Sequence, residues 1–341
     1  MSVRLDSKPQ IHTLASDLGL RHTGKPCQDI LRSVEARVRS ISNKFKCKTL
    51  NELLLAIANE VGTVFKEIHS EHDLQSLRDE YLQKGELIFA NLANELARPD
   101  DYGITIGVHP KNAWEPRFVS VIDCRGDKSF RTYFTKWHEL AHLLTLTPQM
   151  RLLFRRSHSR ENSDDPEEKL MDIIASAVGF LPDFLPNSAK GELSFEAISE
   201  IKKEFCPGSS VQAATIGIVK AFPVPCILLE AEMAFKKDEL IEAAQFGFGF
   251  HNSPSPTLRA VHATVNSAAR EAGVQFFKNW RVPPTSIIAD VYLGGGYAEA
   301  DEDLSWWSAS GGKHLDALPV RVKAKKSGNS VLALMIPATQ D

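Results

Sequence analysis

The amino-acid sequence predicts an α+β fold, in which a mainly helical first part is followed by a mixed part. Residues 30–41 repeat apolar side chains at the period of an amphipathic helix. Residues 103–108 and 117–123 are short, rich in β-branched residues and bounded by turn formers, which predicts two strands. From residue 226 onward, helix-like and strand-like segments follow one another, and this predicts a separate C-terminal α/β domain.

Four segments are predicted along the chain. They are an N-terminal helical segment (1–47), a central domain (48–190), a helical pair that serves as a linker (191–225) and the C-terminal domain (226–341). The linker carries two amphipathic stretches that are separated by the turn-forming sequence CPG.

Helices of the central domain are predicted from capping residues and from the helical spacing of apolar residues. Thr49 and Glu52 form a capping-box pattern ahead of a helix over residues 53–65. A further helix is predicted over residues 74–96, and Ser129 is predicted to cap the next one. In the C-terminal domain, a helix is predicted for residues 257–273, and strands are predicted for 223–235, 286–293, 318–324 and 330–336.

Composition restricts the class of protein. The chain has 341 residues with 43% hydrophobic and 24% charged side chains, which is typical of globular proteins, and its net charge of −3 disfavours a chain-wide nucleic-acid surface. The five cysteines are an odd number without CxxC spacing, so we expect neither a disulfide framework nor a thiolate zinc knuckle. A signal peptide pattern and a long apolar run are both absent from the sequence, so we expect a cytoplasmic protein with no membrane segment.

The segment FTKWHELAHLL, residues 134–144, carries the strongest chemical signal. His138 and His142 are four residues apart, so on a helix they point to the same face and can bind one Zn²⁺. Glu139 follows the first histidine directly, as in the HExxH motif of metallopeptidases, where it is the general base. The alternative is three polar residues on an ordinary helix. The surrounding apolar residues argue against a solvated face: Phe134, Trp137, Leu140, Leu143 and Leu144.

A catalytic zinc site needs a third protein ligand. The candidate is Glu168, at the start of a helix predicted over residues 167–181, with Asp172 one turn later on the same face to hold a ligand histidine. The alternative for each acid is a charge that the N-terminal end of the helix dipole favours. His158 is the second candidate for the third ligand.

The stretches FVSVIDC, RTYFTKWHELAHLL and EKLMDIIASAVGFLP together resemble the ImmA/IrrE family of metallopeptidases. The resemblance covers residues 118–182, and Asp123 stands where the family usually has Asn. It implies a zincin-like HExxH metallopeptidase domain with a helical N-terminal part, followed by a C-terminal GAF-like sensor domain. Zn²⁺ would be bound by His138, His142 and Glu168.

The resemblance also implies a narrow substrate. This would be a helix-turn-helix repressor, whose cleavage derepresses a stress, DNA-damage or antiphage (CBASS-type) operon. Separately, we expect an activator, either single-stranded DNA or a small molecule. We expect the strand over 118–123 to pair with the extended substrate. The alternative functions are a broader zinc peptidase and a non-catalytic regulator that uses the zinc fold as a binding module.

Other features have a functional and a structural interpretation. Cys124 could fill the fourth zinc position as a latch, or it could be a small half-buried residue at a strand end. Trp306 and Trp307 could stack on single-stranded bases, although paired tryptophans are more often core residues. The basic residues 151–160 could dock a partner or form a solvated loop.

Overall fold

The computed structural model describes residues 5–21, 23–146, 165–186, 189, 191–236, 239, 255–309 and 312–338. These residues divide into two compact units. The first comprises Met1–Phe184 and Lys202–Gly217, and the second comprises Leu185–Ile201 and Ile218–Asp341. None of the helices in the described part of the chain combines the length and the apolar character that a membrane span requires.

Three helices open the first unit: α1 (Pro9–Asp17), α2 (Pro26–Phe45) and α3 (Leu50–Val61). The predicted cap of α3 is confirmed, because the Thr49 hydroxyl accepts a hydrogen bond from the Glu52 amide. The helix was expected to continue to residue 65, and this expectation is wrong. Gly62 ends the helix in the left-handed region at φ 77°, and the chain continues as strand β1 (Thr63–Ile68).

A three-stranded sheet lies at the centre of the first unit. Strands β2 (Gly103–Gly107) and β3 (Phe118–Asp123) confirm the two strands that the sequence predicts. The order is β1-β3-β2, with β1 parallel and β2 antiparallel to β3. Because β3 is central and paired on both sides, it cannot add an extended substrate strand. The expectation that it does so is wrong, and β2 is the edge strand nearer to the HExxH helix.

Alternate residues of the strands serve the two faces of this sheet. One face packs against helix α4 (Glu71–Gln83) and the short helix α5 (Leu92–Glu95). The predicted single helix over residues 74–96 is thus wrong, because Gly85 takes a left-handed φ of 91° and breaks it. The apolar core on this face includes Ile104, Ile106, Val119 and Val121.

The other face of the sheet packs against α6 (Thr132–Thr145), which in turn packs against α7 (Pro166–Gly179). Ser129 was expected to cap α6, but it lies in a preceding 3₁₀ turn, where its hydroxyl donates to the Gly126 carbonyl oxygen. Asp165 caps the N-terminus of α7, because its carboxylate accepts a hydrogen bond from the Glu167 amide.

The second unit contains a five-stranded sheet with the order β5-β4-β8-β7-β6. Neighbouring strands of this sheet pair antiparallel in the described part of the chain. The expected α/β class of the C-terminal domain is therefore wrong, and the second unit is α+β. Two helices, α8 (Phe195–Phe205) and α9 (Val211–Ala221), contain residues of both units. The other elements of the second unit are β4 (Ile227–Ala234), β5 (Thr257–Val265), α10 (Ser267–Glu271), α11 (Ile287–Gly294), β6 (Tyr297–Asp303), β7 (Pro319–Ser327) and β8 (Ser330–Pro337).

Two predictions for the C-terminal part have the wrong type of element. Residues 257–273 form β5 followed by the short α10, because Asn266 caps a new helix at the Ala269 amide after the strand has paired with β4. Residues 286–293 form α11 instead of a strand, since the Ser286 hydroxyl caps it and its apolar residues pack on the sheet. The helical pair and the strands β4, β7 and β8 are confirmed.

Candidate metal centre

Helix α6 buries the HExxH residues between the sheet and α7. His138 is 5% exposed and Glu139 is 1% exposed. Burial of charged and polar groups at this level requires partners, so the contacts of these side chains define the chemistry of the site.

Three side chains bring their ligand atoms together, and we call them the helix cluster: His138, His142 and Glu168. The Nε2 atom of His138 lies 3.1 Å from Nε2 of His142 and 3.1 Å from Oε2 of Glu168. Glu168 Oε1 lies 3.6 Å from His142 Nε2. The histidines come from one face of α6 and the carboxylate from the first turn of α7. Two imidazoles and one carboxylate form the donor set of a catalytic zinc site, so the residues fit this ion.

Asp172 lies one turn beyond Glu168 on α7. Its Oδ1 atom is 3.0 Å from Nδ1 of His138, on the opposite side of the ring from the ligand atom Nε2. A carboxylate in this position fixes the tautomer and the orientation of a metal-binding histidine. The Asp172 side chain is 58% exposed, so it depends little on the packing of the core.

The electrostatic environment of His138 favours positive charge. Burial lowers the pKa of His138, but hydrogen bonds to Asp172 and Glu168 and the charge of Glu139 outweigh burial and raise it to about 9. The same carboxylates that stabilise a proton on this ring also stabilise a cation bound beside it.

Glu139 is anchored by a chain of hydroxyl groups that sequence reasoning missed. Its Oε2 atom accepts a hydrogen bond of 2.6 Å from the Thr105 hydroxyl, which lies 2.8 Å from the Ser120 hydroxyl. Ser120 in turn lies 2.9 Å from Thr63. These three residues occupy neighbouring positions on β2, β3 and β1, on the face that α6 covers. The available signal was a polar residue between two apolar neighbours in β2 and β3, namely Thr105 and Ser120.

A cavity of about 340 Å³ opens beside the helix cluster. Arg131 stacks its guanidinium over the Tyr102 ring at 4.4 Å and forms part of the wall. Gly103 lets β2 approach α6, since a Cβ atom there would lie 2.6 Å from Thr135. The lining residues are Asp100, Tyr102, Gly103, Arg131, Phe134, Thr135, His138, Glu139, Glu168, Lys169 and Asp172.

Cys124 does not join the helix cluster in this structure. Its Sγ atom lies 3.1 Å from the hydroxyl of Thr132, in the first turn of α6. Thr132 and His138 are six positions apart, which corresponds to about 9 Å along the helix axis. The arrangement needed for a thiolate latch on the helix cluster is therefore not formed here.

Asp123, the neighbour of Cys124, has an evident structural reason to be acidic. Its buried carboxylate lies 2.8 Å from both Arg125 Nη2 and Lys128 Nζ. Burial opposes its charged form, but the hydrogen bonds from Arg125 and Lys128 outweigh burial and lower the pKa of Asp123. An Asn at this position could not pair with these two cations.

Other predicted features have different outcomes. His158 and the basic segment 151–160 lie outside the described residues. Trp307 is fully buried and packs edge-to-face on Phe276 with ring centroids 5.0 Å apart, so it is a core residue, whereas Trp306 is 44% exposed.

No family model matches the chain, and no curated protein matches it significantly. One similar solved structure is a Mycobacterium tuberculosis transcriptional regulator, with 11% sequence identity, a TM-score of 0.42, and coverage of 90% of this chain and 76% of that chain. A likeness this distant defines neither the fold nor the function of this chain. The assignment of function therefore depends on the residues of the site.

Proposed function

We propose that this protein is a zinc-dependent endopeptidase with a zincin-like first unit. The observation that carries the proposal is the convergence of His138, His142 and Glu168, with the carboxylate of Glu139 buried beside them and a cavity in front. Zn²⁺ held by this donor set would polarise the scissile carbonyl and acidify water.

Glu139 is the general base in this proposal. It takes a proton from the attacking water and passes it to the nitrogen of the leaving amine as the C–N bond breaks. The Thr105 hydroxyl, at 2.6 Å, holds one carboxylate oxygen and so fixes the direction of the other. Asp172 holds His138 through Nδ1 and leaves Nε2 for the ion.

The edge strand β2 is the proposed docking site for an extended peptide. The Asp123 amide donates to the Tyr102 carbonyl oxygen and the Val108 amide donates to the Arg117 carbonyl oxygen, so the even-numbered residues of β2 face β3. The backbone groups of Gly103, Thr105 and Gly107 consequently face away from β3. A peptide paired with them would run along the cavity wall towards Glu139.

The proposed substrate is a helix-turn-helix transcriptional repressor of a stress, DNA-damage or antiphage (CBASS-type) operon. This part is supported by the resemblance of residues 118–182 to the ImmA/IrrE family. The second unit is proposed to be a GAF-like sensor that receives the signal, either a small molecule or single-stranded DNA. A non-catalytic binding module is disfavoured, because a purely structural metal site does not need the buried Glu139.

The test uses the zinc-loaded full-length protein and purified helix-turn-helix repressors, beginning with any that genes next to its own encode. We expect the wild type to cleave at one bond, which intact-mass measurement locates. Glu139→Gln should retain zinc and lose at least about 100-fold in rate, since general-base catalysis typically contributes 10²–10⁴.

The matched control is Glu167→Gln, which removes a carboxylate from an exposed residue next to a ligand residue. It should cleave at the wild-type rate. Undiminished cleavage by Glu139→Gln would contradict the mechanism, and cleavage of many unrelated proteins would favour a broader peptidase.

A further inference from the structure

A second group of metal-ligating side chains lies at the carboxyl ends of two neighbouring strands. Glu67 and His69 are two residues apart, so they point to the same side of β1 and its extension. The parallel register pairs Ile68 with Asp123, which brings Cys124 opposite His69. All three side chains are on the face of the sheet that α6 covers. We call these residues the strand-end cluster: Glu67, His69 and Cys124.

The ligand atoms of the strand-end cluster are close to one another. Glu67 Oε2 lies 3.4 Å from His69 Nε2 and 4.0 Å from Cys124 Sγ, and the three atoms lie within 4.8 Å of one another. Zinc bonds of about 2.0–2.3 Å place the donors of a tetrahedral site roughly 3.3–3.7 Å apart. The observed separations therefore need only small side-chain adjustments to surround one ion.

Neighbouring groups position the donor atoms of the strand-end cluster. Lys136 binds the other carboxylate oxygen of Glu67, Oε1, at 2.6 Å and leaves Oε2 directed at His69 and Cys124. The Thr132 hydroxyl lies 3.1 Å from the sulfur and fixes its position. The Cys124 residue is buried, whereas the side chains of Glu67 and His69 are 37% and 65% exposed, so an ion can enter from solvent.

We propose that the strand-end cluster is a second metal site, for a thiophilic divalent cation such as Zn²⁺. A thiolate, an imidazole and a carboxylate are a sulfur, nitrogen and oxygen donor set that zinc accepts and that Mg²⁺ and Ca²⁺ do not. Three protein ligands leave a fourth position for water. The thiol of Cys124 loses its proton to solvent when the metal–sulfur bond forms.

This proposal stands independently of the peptidase proposal. The strand-end cluster shares no residue with the helix cluster. Its sulfur contacts Thr132 in the first turn of α6, about 9 Å along the axis from His138, and Glu67 contacts Lys136 one turn later. A bound ion would join the ends of β1 and β3, next to the helix that carries the HExxH residues. Cys124 would then belong to a metal site of its own and would not serve as a latch on the helix cluster.

Cobalt(II) titration of the reduced full-length protein tests the proposal, because Co²⁺ replaces Zn²⁺ and a thiolate–cobalt bond gives a near-ultraviolet charge-transfer band. We expect this band in the wild type and in His142→Ala, which removes a ligand of the helix cluster only. Cys124→Ser should abolish the band, and His69→Ala should weaken cobalt binding at this site at least about tenfold.

The matched control is Cys206→Ser, which removes another buried cysteine and should keep the band. His69 is largely exposed, so its variant tests the site without disturbing the core. Absence of the band in the wild type, or its persistence in Cys124→Ser, would overturn the proposal. A partial loss of cobalt d–d absorption in His142→Ala, with the charge-transfer band and the remaining d–d bands intact, would assign the lost part to the helix cluster and support this proposal.

Discussion

The helix cluster and the strand-end cluster lie in the same unit and each offer three metal-ligating side chains, but they differ in support and exposure. The helix cluster is formed by two packed helices, and its His138 and Glu168 side chains are 6% and 15% exposed. The strand-end cluster follows two strands, and its His69 side chain is 65% exposed. A buried site can hold a base such as Glu139 away from bulk water, so the helix cluster is suited to catalysis and the strand-end cluster to binding alone.

Removing a ligand of the helix cluster gives the largest expected effect. Glu168→Ala should reduce zinc affinity there by more than about 100-fold, because loss of a hydrogen-bonding partner outside the ligand set already costs 10–100-fold. Competition with a chromogenic chelator measures the affinity. Cobalt binding at the strand-end cluster should not change.

Glu167→Ala is the control for this variant, since Glu167 precedes Glu168 on α7 and is outside the helix cluster. Equal zinc affinity of Glu168→Ala and the wild type would remove Glu168 from the ligand set.

The strand-end cluster instead needs Cys124 in place at the end of β3. The ion pairs of its neighbour Asp123 with Arg125 and Lys128 hold the chain at this point. Asp123→Asn removes the buried carboxylate between Arg125 and Lys128 and should destabilise the protein by about 3 kcal/mol, the lower end of the cost of breaking a buried ion pair. Because the pKa of Asp123 is lowered on folding, its contribution is present above the unfolded pKa of about 3.9. It disappears as the pH falls through the folded-state pKa.

Urea unfolding of the wild type and Asp123→Asn at several pH values measures this difference, which should shrink below pH ~4. The control is Asp127→Asn, since Asp127 is exposed nearby. A constant difference between pH 7 and pH 3 would show that the charge of Asp123 is not the source of the stability.

The smallest effect is expected at Asp172, which contacts only one ligand of the helix cluster. Asp172→Ala should weaken zinc binding 10–100-fold, because His138 loses the group that orients its ring. The fold should be unaffected, since the Asp172 side chain is 58% exposed. Chelator competition measures the zinc affinity, and thermal unfolding measures the stability of the fold. An unchanged zinc affinity would mean that His138 is oriented by packing alone.

The two clusters also show why some residues could be found in the sequence and others could not. His138 and His142 lie on one helix, so their spacing of four already implies a common face. Glu168 was found because a second amphipathic helix begins near it. Glu67 and Cys124 are far apart in the chain, and only the register of β1 with β3 makes them neighbours.

Errors in predicting the elements have the same origin. Local propensity and hydrophobic period predict that α3 continues beyond Gly62 and that β5 is a helix, because these properties do not include the strands with which a segment pairs. The strands β2 and β3 were predicted because their β-branched residues lie between strong turn signals.

The sequence by itself determined the α+β class and the pairing of His138, Glu139 and His142 on one helix, because hydrophobic period and i, i+4 spacing are local properties of the chain. The tertiary structure decided that Thr105 holds Glu139, that β3 is the central strand and β2 an edge strand, and that Cys124 lies with Glu67 and His69. These contacts join residues that are distant in the sequence. They arise from strand order and register, which depend on the packing of the whole unit.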